Sequence, residues 1–370
     1  MAKPVDKANE SIEGNLVCEG LWEPDQRRIV VVGVGGAGNN TVTRLMEMGI
    51  TGTECIAINT DRRHLKATNA TKKILVGERT TRGVGAGGDP KIGRAAIEES
   101  KRRVEDLFTN VDVAFIAVGL GGGTGTGAAP IVAEVARRKG ATVIGVVTMP
   151  FRIEKGRIRC ATEGLREMQR RCDTVVIIDN DKLMGLAPHL PLNEAFKIAD
   201  QVLANMIKGI VETISEPSLI NLDFADFKTV VKKGGVAVVG FGESDAPNRA
   251  EEAVRNALRS PLFSIDYEGA TGALIHVSGD EEMTIEEANR VGEIVTEMMS
   301  ENATVAWGAR VNPGLAGALK VTLLMTGVRS PLQPKGLGMV VSEIYDIDPY
   351  PELEESLEID LGLDQIEDLE

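Results

Sequence analysis

Two glycine-rich segments contain the residue types from which a phosphate-binding site can be built. They are Gly33–Asn40, which reads GVGGAGNN, and Gly121–Gly127, which reads GGGTGTG. Each follows an apolar run that predicts a buried strand, and each leads into a predicted helix. Glycine lets backbone N–H groups approach a phosphate closely, and a helix N-terminus adds a partial positive charge. Together the two segments predict a site for a di- or triphosphate.

Neither segment by itself identifies the ligand. Gly33–Asn40 alone is equally compatible with a dinucleotide-binding turn, in which Asp61 would contact the ribose. Asp61 lies further along the chain than the ~20 residues typical of that motif, and the second glycine segment has no role in that hypothesis. Gly121–Gly127 is disfavoured as a flexible linker by the strand and helix predicted around it. The sequence contains no GxxxxGK[ST] motif, so N–H groups and a bound Mg²⁺ must neutralise more of the phosphate charge.

An acidic segment, Asn221–Asp226, carries candidate catalytic groups. Asp223 and Asp226 are three residues apart, so on one helical turn both carboxylates can face the same way. Carboxylates can orient or polarise the water that attacks a phosphoryl group. From the residues alone the favoured interpretation is structural, with Asp223 as the N-cap of a helix that begins at Phe224.

A long helix is predicted over Leu192–Ile214 from apolar residues at three- and four-residue steps. At ~1.5 Å per residue it is long enough to bridge two domains. Phe196 and Asp200 lie four residues apart on one face of it. Their spacing alone favours a core phenylalanine and a solvated aspartate.

Strands and helices alternate along most of the chain, which predicts an α/β fold with a doubly wound parallel sheet and a second, smaller α/β domain. In such sheets ligands bind beyond the carboxyl ends of the strands, where both glycine segments fall. The predicted organisation is a flexible arm over 1–26, a nucleotide-binding domain over 27–191, a connecting helix over 192–216, an α/β domain over 217–330 and a flexible acidic tail over 331–370.

Charge is concentrated at the carboxyl end of the chain. Residues 341–370 contain seven Glu, five Asp and no Lys or Arg, a charge of −12, so the whole-chain charge of −14 leaves −2 for residues 1–340. A nearly neutral body permits self-association, and the acidity argues against nucleic-acid binding. The four Cys form no CxxC pair and there are three His, so neither a disulfide framework nor a protein-ligated metal site is expected. No signal peptide and no apolar run of about 20 residues is recognisable, which argues against membrane insertion.

The motifs together resemble the tubulin/FtsZ superfamily of GTPases. Besides GVGGAGNN and GGGTGTG, the chain has Asn59-Thr60-Asp61, GAGGDP over 85–90, Pro150-Phe151 and NLDFAD over 221–226, all in the order found in FtsZ. The resemblance covers about residues 28–330. NLDFAD favours FtsZ over eukaryotic tubulin, and the carboxyl-terminal sequence suggests an archaeal-type member.

The resemblance implies a GTP/GDP site with Mg²⁺ and a role for each matching residue. Phe196 would stack on guanine, and Asp200 would accept hydrogen bonds from the guanine N1–H and amino group. Asn221, Asp223 and Asp226 of one subunit would complete the catalytic site of the next. The nucleotide contacts implied are Gly35, Gly36, Ala37, Gly38, Asn39, Asn40, Asn59, Asp61, Gly87, Gly88, Gly121, Gly122, Gly123, Thr124, Gly125, Thr126, Gly127, Glu154, Arg157, Asn180, Phe196 and Asp200.

One motif departs from the family pattern. FtsZ has PFxxEGxxR, and this chain has PFRIEKGRIR over 150–159. Alignment from the downstream Glu163 selects Arg157 as the family arginine, with a one-residue deletion. Counting forward from Glu154 leaves Arg159 as the alternative.

The family further implies a cytoplasmic, polymerising cell-division protein that acts at mid-cell and has itself as its main partner. The segment 359–369, IDLGLDQIEDL, is either a solvating tail or a short recognition peptide for a membrane anchor or division protein. A family member that binds nucleotide and acts as a scaffold with little hydrolysis is the alternative function.

Overall fold

The computed structural model describes residues 27–182, 192–215, 218–220, 222–259 and 269–328, and within 192–215 it excludes the side chains of 192–196 and 199. The predicted N-terminal arm and acidic tail lie outside these residues. The strands are β1 Ile29–Val34, β2 Thr53–Asn59, β3 Lys72–Leu75, β4 Val113–Gly119, β5 Thr142–Met149, β6 Thr174–Asp179, β7 Val236–Ser244, β8 Ala270–Gly279, β9 Met299–Val311 and β10 Leu319–Val328. The helices are α1 Gly35–Glu47, α2 Arg62–Ala67, α3 Glu78–Thr81, α4 Pro90–Glu99, α5 Lys101–Glu105, α6 Gly123–Arg138, α7 Lys155–Arg171, α8 Leu192–Ser215, α9 Phe224–Lys232, α10 Arg249–Leu258 and α11 Ile285–Thr296.

All ten strands form one sheet in the order β3-β2-β1-β4-β5-β6-β7-β10-β8-β9. The first seven strands in this order run parallel, and β10 is antiparallel to both of its neighbours. The strands of the two predicted domains therefore share a single sheet. The seam between them is narrow, because β6 and β7 pair only through Val175 with Val236 and Val176 with Ala237.

Helices cover both faces of the sheet, which explains the continuous apolar strands. Every residue of β1 is buried, and successive side chains point to opposite faces. Val30 and Val32 join one apolar cluster with the residues of α6 and α7. Ile29 and Val31 join the other cluster, which contains the buried face of α8. This is the pattern of a parallel sheet with both faces covered.

The predicted connecting helix is present as α8, whose 24 residues extend about 36 Å. Its inward residues recur at helical spacing and are almost completely buried, among them Leu203, Met206, Ile210 and Ile214. The segment 203–214 of the helix therefore packs against the sheet. In the residues described, no helix combines the length and apolarity that a membrane crossing requires.

Asp89 followed by Pro90 predicts a helix that begins at Pro90, with Asp89 as its N-cap, and that runs to about Phe108. In the structure this helix is shorter. The Asp89 cap is confirmed, because its side chain accepts a hydrogen bond from the Lys91 N–H at 2.8 Å. The single helix predicted from Pro90 to Phe108 is interrupted at Ser100, where α4 ends and α5 begins. The Ser100 hydroxyl accepts a hydrogen bond from the Gly77 N–H at 3.1 Å, so a tertiary contact holds this residue out of helical conformation.

Candidate nucleotide site

A cavity of about 550 Å³ lies at the carboxyl ends of the parallel strands. Its walls come from the start of α1, the ends of β4 and β5, residue Asn180 after β6, and one face of α8. The residues that line it are Gly36, Ala37, Asn40, Thr41, His64, Val118, Gly119, Val146, Thr148, Asn180, Lys197, Asp200 and Leu203. This is where a doubly wound sheet places its ligand.

Two helices begin inside the glycine segments. α1 starts at Gly35 and α6 at Gly123, and neither start receives a side-chain cap hydrogen bond. The sequence pattern predicts these helices over Asn39–Met48 and from the residue after Gly127 to Lys139, so both predicted starts are wrong by about one turn. The first backbone N–H groups of a helix have no partner within it, so both N-termini can donate to an anion.

Several motif glycines are required by backbone packing. A Cβ on Gly38 would lie 2.2 Å from the carbonyl oxygen of Ala117 in β4. A Cβ on Gly127 would lie 2.0 Å from the carbonyl oxygen of Pro90, because α6 crosses α4 there. These positions bring helices and strands together, a packing requirement for glycine that stands beside the nucleotide contact predicted for them.

Other motif glycines face open space. A Cβ on Gly36 would have the His64 ring nitrogen as its nearest neighbour at 3.9 Å, and one on Gly122 would meet nothing within 4 Å. Gly87 and Gly88 are likewise open, with φ angles of 59° and 82°. These four positions leave backbone accessible to a ligand.

The threonines of the second segment brace the loop. Gly121 has a φ of 94°, in the left-handed region that favours glycine. Its N–H donates to the Thr126 hydroxyl at 2.8 Å, so that N–H is already paired. The hydroxyls of Thr124 and Thr60 are 2.6 Å apart and link the loop to the end of β2.

Asn39 and Asn59 join the first glycine segment to the next strand. Both are almost completely buried. With its amide oriented by its neighbours, Asn39 donates to the Gly33 carbonyl at 2.9 Å and accepts from the Asn59 amide at 3.0 Å. Asp61 caps α2 by accepting from the N–H groups of Arg63 and His64. All three predicted contact residues therefore shape the loops, and Asn40 is the asparagine of this segment that lines the cavity.

The end of the cavity next to α8 contains two polar groups that can form hydrogen bonds with a nucleobase. Burial raises the pKa of Asp200 from 3.8 to about 6, and the positive charge of Arg44 lowers it in part. The Asn180 Oδ1 atom is buried and accepts no hydrogen bond within the described part of the chain. The Phe196 side chain predicted to stack on guanine lies outside the described residues.

The altered loop places Arg157 beside the glycine segment. A Cβ on Gly121 would lie 2.9 Å from the Arg157 Cβ, so the Arg157 side chain packs directly against the glycine segment. Arg157 Nη1 donates to Glu154 Oε1 at 2.5 Å. Arg159 is 85% exposed and lies 4.0 Å from its acidic partner. This proximity supports Arg157 over Arg159, and neither Glu154 nor Arg157 lines the cavity.

The acidic segment lies apart from the cavity. Asp223 is the N-cap of α9, and its Oδ1 accepts from the Ala225 N–H at 2.9 Å. This confirms the structural interpretation of Asp223 without excluding another role. Asp223 and Asp226 are both exposed, and neither lines the cavity of its own chain. Asn221 lies outside the described residues.

The loop before Asp223 is anchored to the edge strand β9. Ile220 and Ala309 exchange two backbone hydrogen bonds of 3.0 and 3.1 Å. Gly308 leaves room for this contact, since a Cβ there would lie 2.9 Å from the Ile220 carbonyl oxygen. The Ser218 hydroxyl lies 3.5 Å from His276 Nε2, and burial with the charge of Lys320 lowers the pKa of His276 to about 4. A neutral imidazole therefore supports the loop at physiological pH.

Four polar residues of the cavity were not predicted: Thr41, His64, Thr148 and Lys197. Lys197 lies three residues before Asp200, so its position on the same helix face was a usable signal. Thr41 directly follows Asn40. His64 and Thr148 are brought in by the folding of α2 and β5, which no local pattern indicates.

In the described residues no group of three or more His, Cys, Asp or Glu side chains is arranged to hold a metal ion. The continuous sheet, the two helix N-termini and the cavity define a nucleotide-binding protein of the doubly wound α/β class.

Comparisons with known proteins identify the family. The GTPase domain of the Tubulin/FtsZ family matches residues 28–188, and the C-terminal domain of the FtsZ family matches residues 235–329. Cell division protein FtsZ 2 of Methanocaldococcus jannaschii is 54% identical over 309 residues, which are 83% of this chain and 81% of that protein. Cell division protein FtsZ 1 of Pyrococcus furiosus is 50% identical over 311 residues, 84% of this chain and 83% of that protein.

Solved structures with a similar fold support the same family. An empty FtsZ dimer from M. jannaschii has a TM-score of 0.76 at 48% identity and covers 85% of this chain and 95% of that one. CetZ1 from Haloferax volcanii, a GDP-bound monomer, has a TM-score of 0.74 at 22% identity over 86% of this chain and 98% of that one, a likeness of fold alone. The chain belongs to the FtsZ family, and the predicted Tubulin/FtsZ fold and GTPase class are confirmed.

Proposed function

We propose that this GTPase polymerises head to tail and hydrolyses GTP at a site shared between adjacent subunits during cell division. The observation that carries the proposal is the separation of the two halves of the site. The cavity and both helix N-termini lie at the carboxyl edge of the parallel strands, whereas Asp223 and Asp226 are exposed on α9 and line no part of it. One subunit would therefore bind nucleotide, and the next would supply the carboxylates.

Within one subunit the cavity would hold the nucleotide in a defined direction. The triphosphate would lie over the starts of α1 and α6, near the open glycines Gly36 and Gly122. Guanine would lie against α8, where Asp200 and the unpaired Asn180 oxygen can accept its N–H groups. Adenine offers no N1–H, so it would leave the buried acceptors unpaired, which penalises binding.

Hydrolysis requires an oriented water and neutralisation of the developing charge. Asp223 and Asp226 of the neighbouring subunit would position and polarise the water. Mg²⁺, when bound, would neutralise charge on the phosphates and be held largely by phosphate oxygens and water. Arg157, next to Gly121, would contribute positive charge at the same end.

A contact that joins the cavity end of one subunit to the α9 end of another is heterologous and does not close, so it generates filaments. Self-association of this kind is supported by the solved dimer of the M. jannaschii relative. The relatives named above are cell division proteins, which supports a site of action at mid-cell in the cytoplasm. The tail segment 359–369 would then be available to a membrane anchor or division protein.

Mixing two inactive variants tests the shared site. Asp226→Asn keeps the cavity and removes a carboxylate from α9. Gly36→Glu places a carboxylate in the open space at the first turn of α1, where it would exclude the triphosphate while α9 stays intact. Each variant alone should release little phosphate from GTP. A mixture should recover activity, because a contact between an Asp226→Asn subunit that holds GTP and a Gly36→Glu subunit has both halves.

Phosphate release and light scattering should be followed together, over a range of protein concentrations and with ATP as a second substrate. The wild type should be selective for GTP, and its specific activity should rise above a concentration threshold. Co-assembly of the mixture without recovered activity would show that the site is contained in one subunit.

A further inference from the structure

A surface cleft of about 560 Å³ lies between the C-terminal ends of α6 and α7, away from the nucleotide cavity. Every side chain that lines it is charged: Glu134, Arg137, Arg138, Glu167, Arg170 and Arg171. Arg171 is the inner cation, since it donates to Glu134 at 3.1 Å and also to Glu167. The cleft is therefore organised around arginine and two shared carboxylates.

Positive charge exceeds negative charge in this cleft. Two residues outside the lining form ion pairs with lining residues: Arg94 lies 3.7 Å from Glu167, and Asp173 lies 3.5 Å from Arg137. Together with the lining residues they make five arginines and three acids, a balance of +2. The outer guanidinium groups remain accessible, because the side chains of Arg137, Arg138 and Arg170 are 53%, 63% and 68% exposed.

A second charged cleft, next to α4, provides a comparison. It measures about 630 Å³ and contains four cations and four acids, a balance of zero, with Ser100 as its remaining residue: Glu78, Arg79, Glu98, Glu99, Lys101, Arg102, Arg103 and Glu105. Charged clefts are thus present in two places on the domain, but the one between α6 and α7 has the positive surplus.

The chain leaves the sheet on the same edge as the positive cleft. The last residue of β10, Val328, pairs with Val236 at the start of β7, and Val236 pairs with Val175 at the start of β6. Two strand spacings amount to about 10 Å. Asp173, which contacts Arg137, directly precedes β6. The residues that follow β10 therefore start close to the cleft.

The sequence beyond β10 has the opposite charge. Residues 341–370 contain twelve acids and no Lys or Arg. The intervening residues 329–340 can span up to about 40 Å when extended, so the acidic segment can reach the cleft of its own chain. A short tether gives a local concentration in the millimolar range, which allows weak ion pairs to be occupied.

We propose that the acidic segment 341–370 docks in the cleft between α6 and α7 of its own chain, its carboxylates pairing with Arg137, Arg138 and Arg170. Guanidinium groups bind carboxylates in a forked, bidentate geometry, which suits arginine more than lysine for this contact. The nucleotide cavity stays open, because it lies at the other edge of the sheet. A protein that takes the tail as its ligand would first have to displace it from the cleft.

Zero-length carbodiimide coupling of the full-length protein tests this contact. Lys139 is exposed at the end of α6, beside the cleft, and its amine can be joined to a tail carboxylate that lies within contact distance. Peptide mapping of the monomer fraction should find Lys139 joined to residues of 341–370. The triple variant Arg137→Glu, Arg138→Glu, Arg170→Glu should lower the yield roughly tenfold, since three attractions become repulsions.

The matched control is Arg79→Glu, Arg102→Glu, Arg103→Glu, which makes the same change of charge in the neutral cleft and should leave the Lys139 yield nearly unchanged. Equal losses in both variants would refute a specific cleft. Mixed light and heavy isotope-labelled protein identifies the source of the tail. Coupling between differently labelled chains in the monomer-derived products would refute docking within one chain. Binding of GTP is measured in parallel, so that a failure of the proposed nucleotide site can be distinguished from a failure of tail docking.

Discussion

Asp200→Asn should weaken GTP binding and stabilise the nucleotide-free protein. Burial in the cavity raises the pKa of Asp200 from 3.8 to about 6, because the carboxylate is poorly solvated there. A shift of about two pH units corresponds to roughly 3 kcal/mol, which solvent screening reduces to about 1–2 kcal/mol. The amide carries no charge and avoids this cost.

The sign of the stability effect follows from the direction of the shift. A carboxyl whose folded-state pKa is raised destabilises the fold when it ionises, so the cost is complete above about pH 6 and absent below about pH 4. The variant should therefore melt roughly 1–3 °C higher than the wild type near neutral pH, and the two should converge in acid. Differential scanning calorimetry without nucleotide measures this difference.

GTP affinity should change in the opposite direction. Loss of a charged acceptor for the guanine N–H groups should cost about 10- to 100-fold in affinity above pH 7. Because the wild-type carboxyl must lose its proton to accept both donors, its advantage over the amide should shrink about tenfold by about pH 5. The γ-phosphate also titrates near pH 6, but it affects both proteins alike, so the ratio of their affinities is the quantity to compare.

The reasoning would be refuted by an affinity ratio that stays constant from pH 5 to pH 8. A variant that melts lower than the wild type without nucleotide would likewise show that Asp200 is paired within the fold.

Two further predictions concern the acidic loop. Asp223→Ala should lower GTP turnover at least about a hundredfold, and it should also cost about 1 kcal/mol of stability because it removes the α9 cap. Asp223→Asn keeps the cap and should lower turnover alone. Assays of GTP hydrolysis and of thermal melting separate the two roles. Gly308→Ala should displace the Ile220 backbone and lower turnover roughly tenfold or more while nucleotide binding to the monomer is unchanged. Gly292→Ala, with nothing within 4 Å of its added Cβ, is the matched control, and an equal effect of the two alanines on turnover would show that the β9 contact does not position the loop.

Strand positions and the long helix followed directly from sequence patterns. Apolar runs bounded by glycine gave the parallel strands, because strands buried on both faces need no alternation. The apolar residues of α8 recur at helical spacing, and its predicted end differs by one residue from the structure. Asp89 was predicted as a cap because it immediately precedes Pro90, a favourable first helical residue.

The helix starts were missed for a physical reason. Glycine is a poor helix former, so local propensity places the starts of α1 and α6 after the glycine segments. The structure overrides propensity, because Gly38, Gly125 and Gly127 allow backbone approaches that any Cβ would prevent. Similarly, the burial of Asn39 and Asn59 between neighbouring loops depends on contacts across the sheet, which spacing along the chain does not indicate.

The difference between packed and open glycines also determines how the motif should be inherited. Gly38 and Gly127 would be fixed in any descendant that keeps the fold, even one that had ceased to bind nucleotide, because a side chain there collides with backbone. Gly36 and Gly122 have space for a side chain, so only selection for the ligand would keep them as glycine. In a lineage that loses nucleotide binding but retains the fold, substitutions should therefore accumulate first at these two positions, and the loss of binding would be dated from them rather than from the motif as a whole.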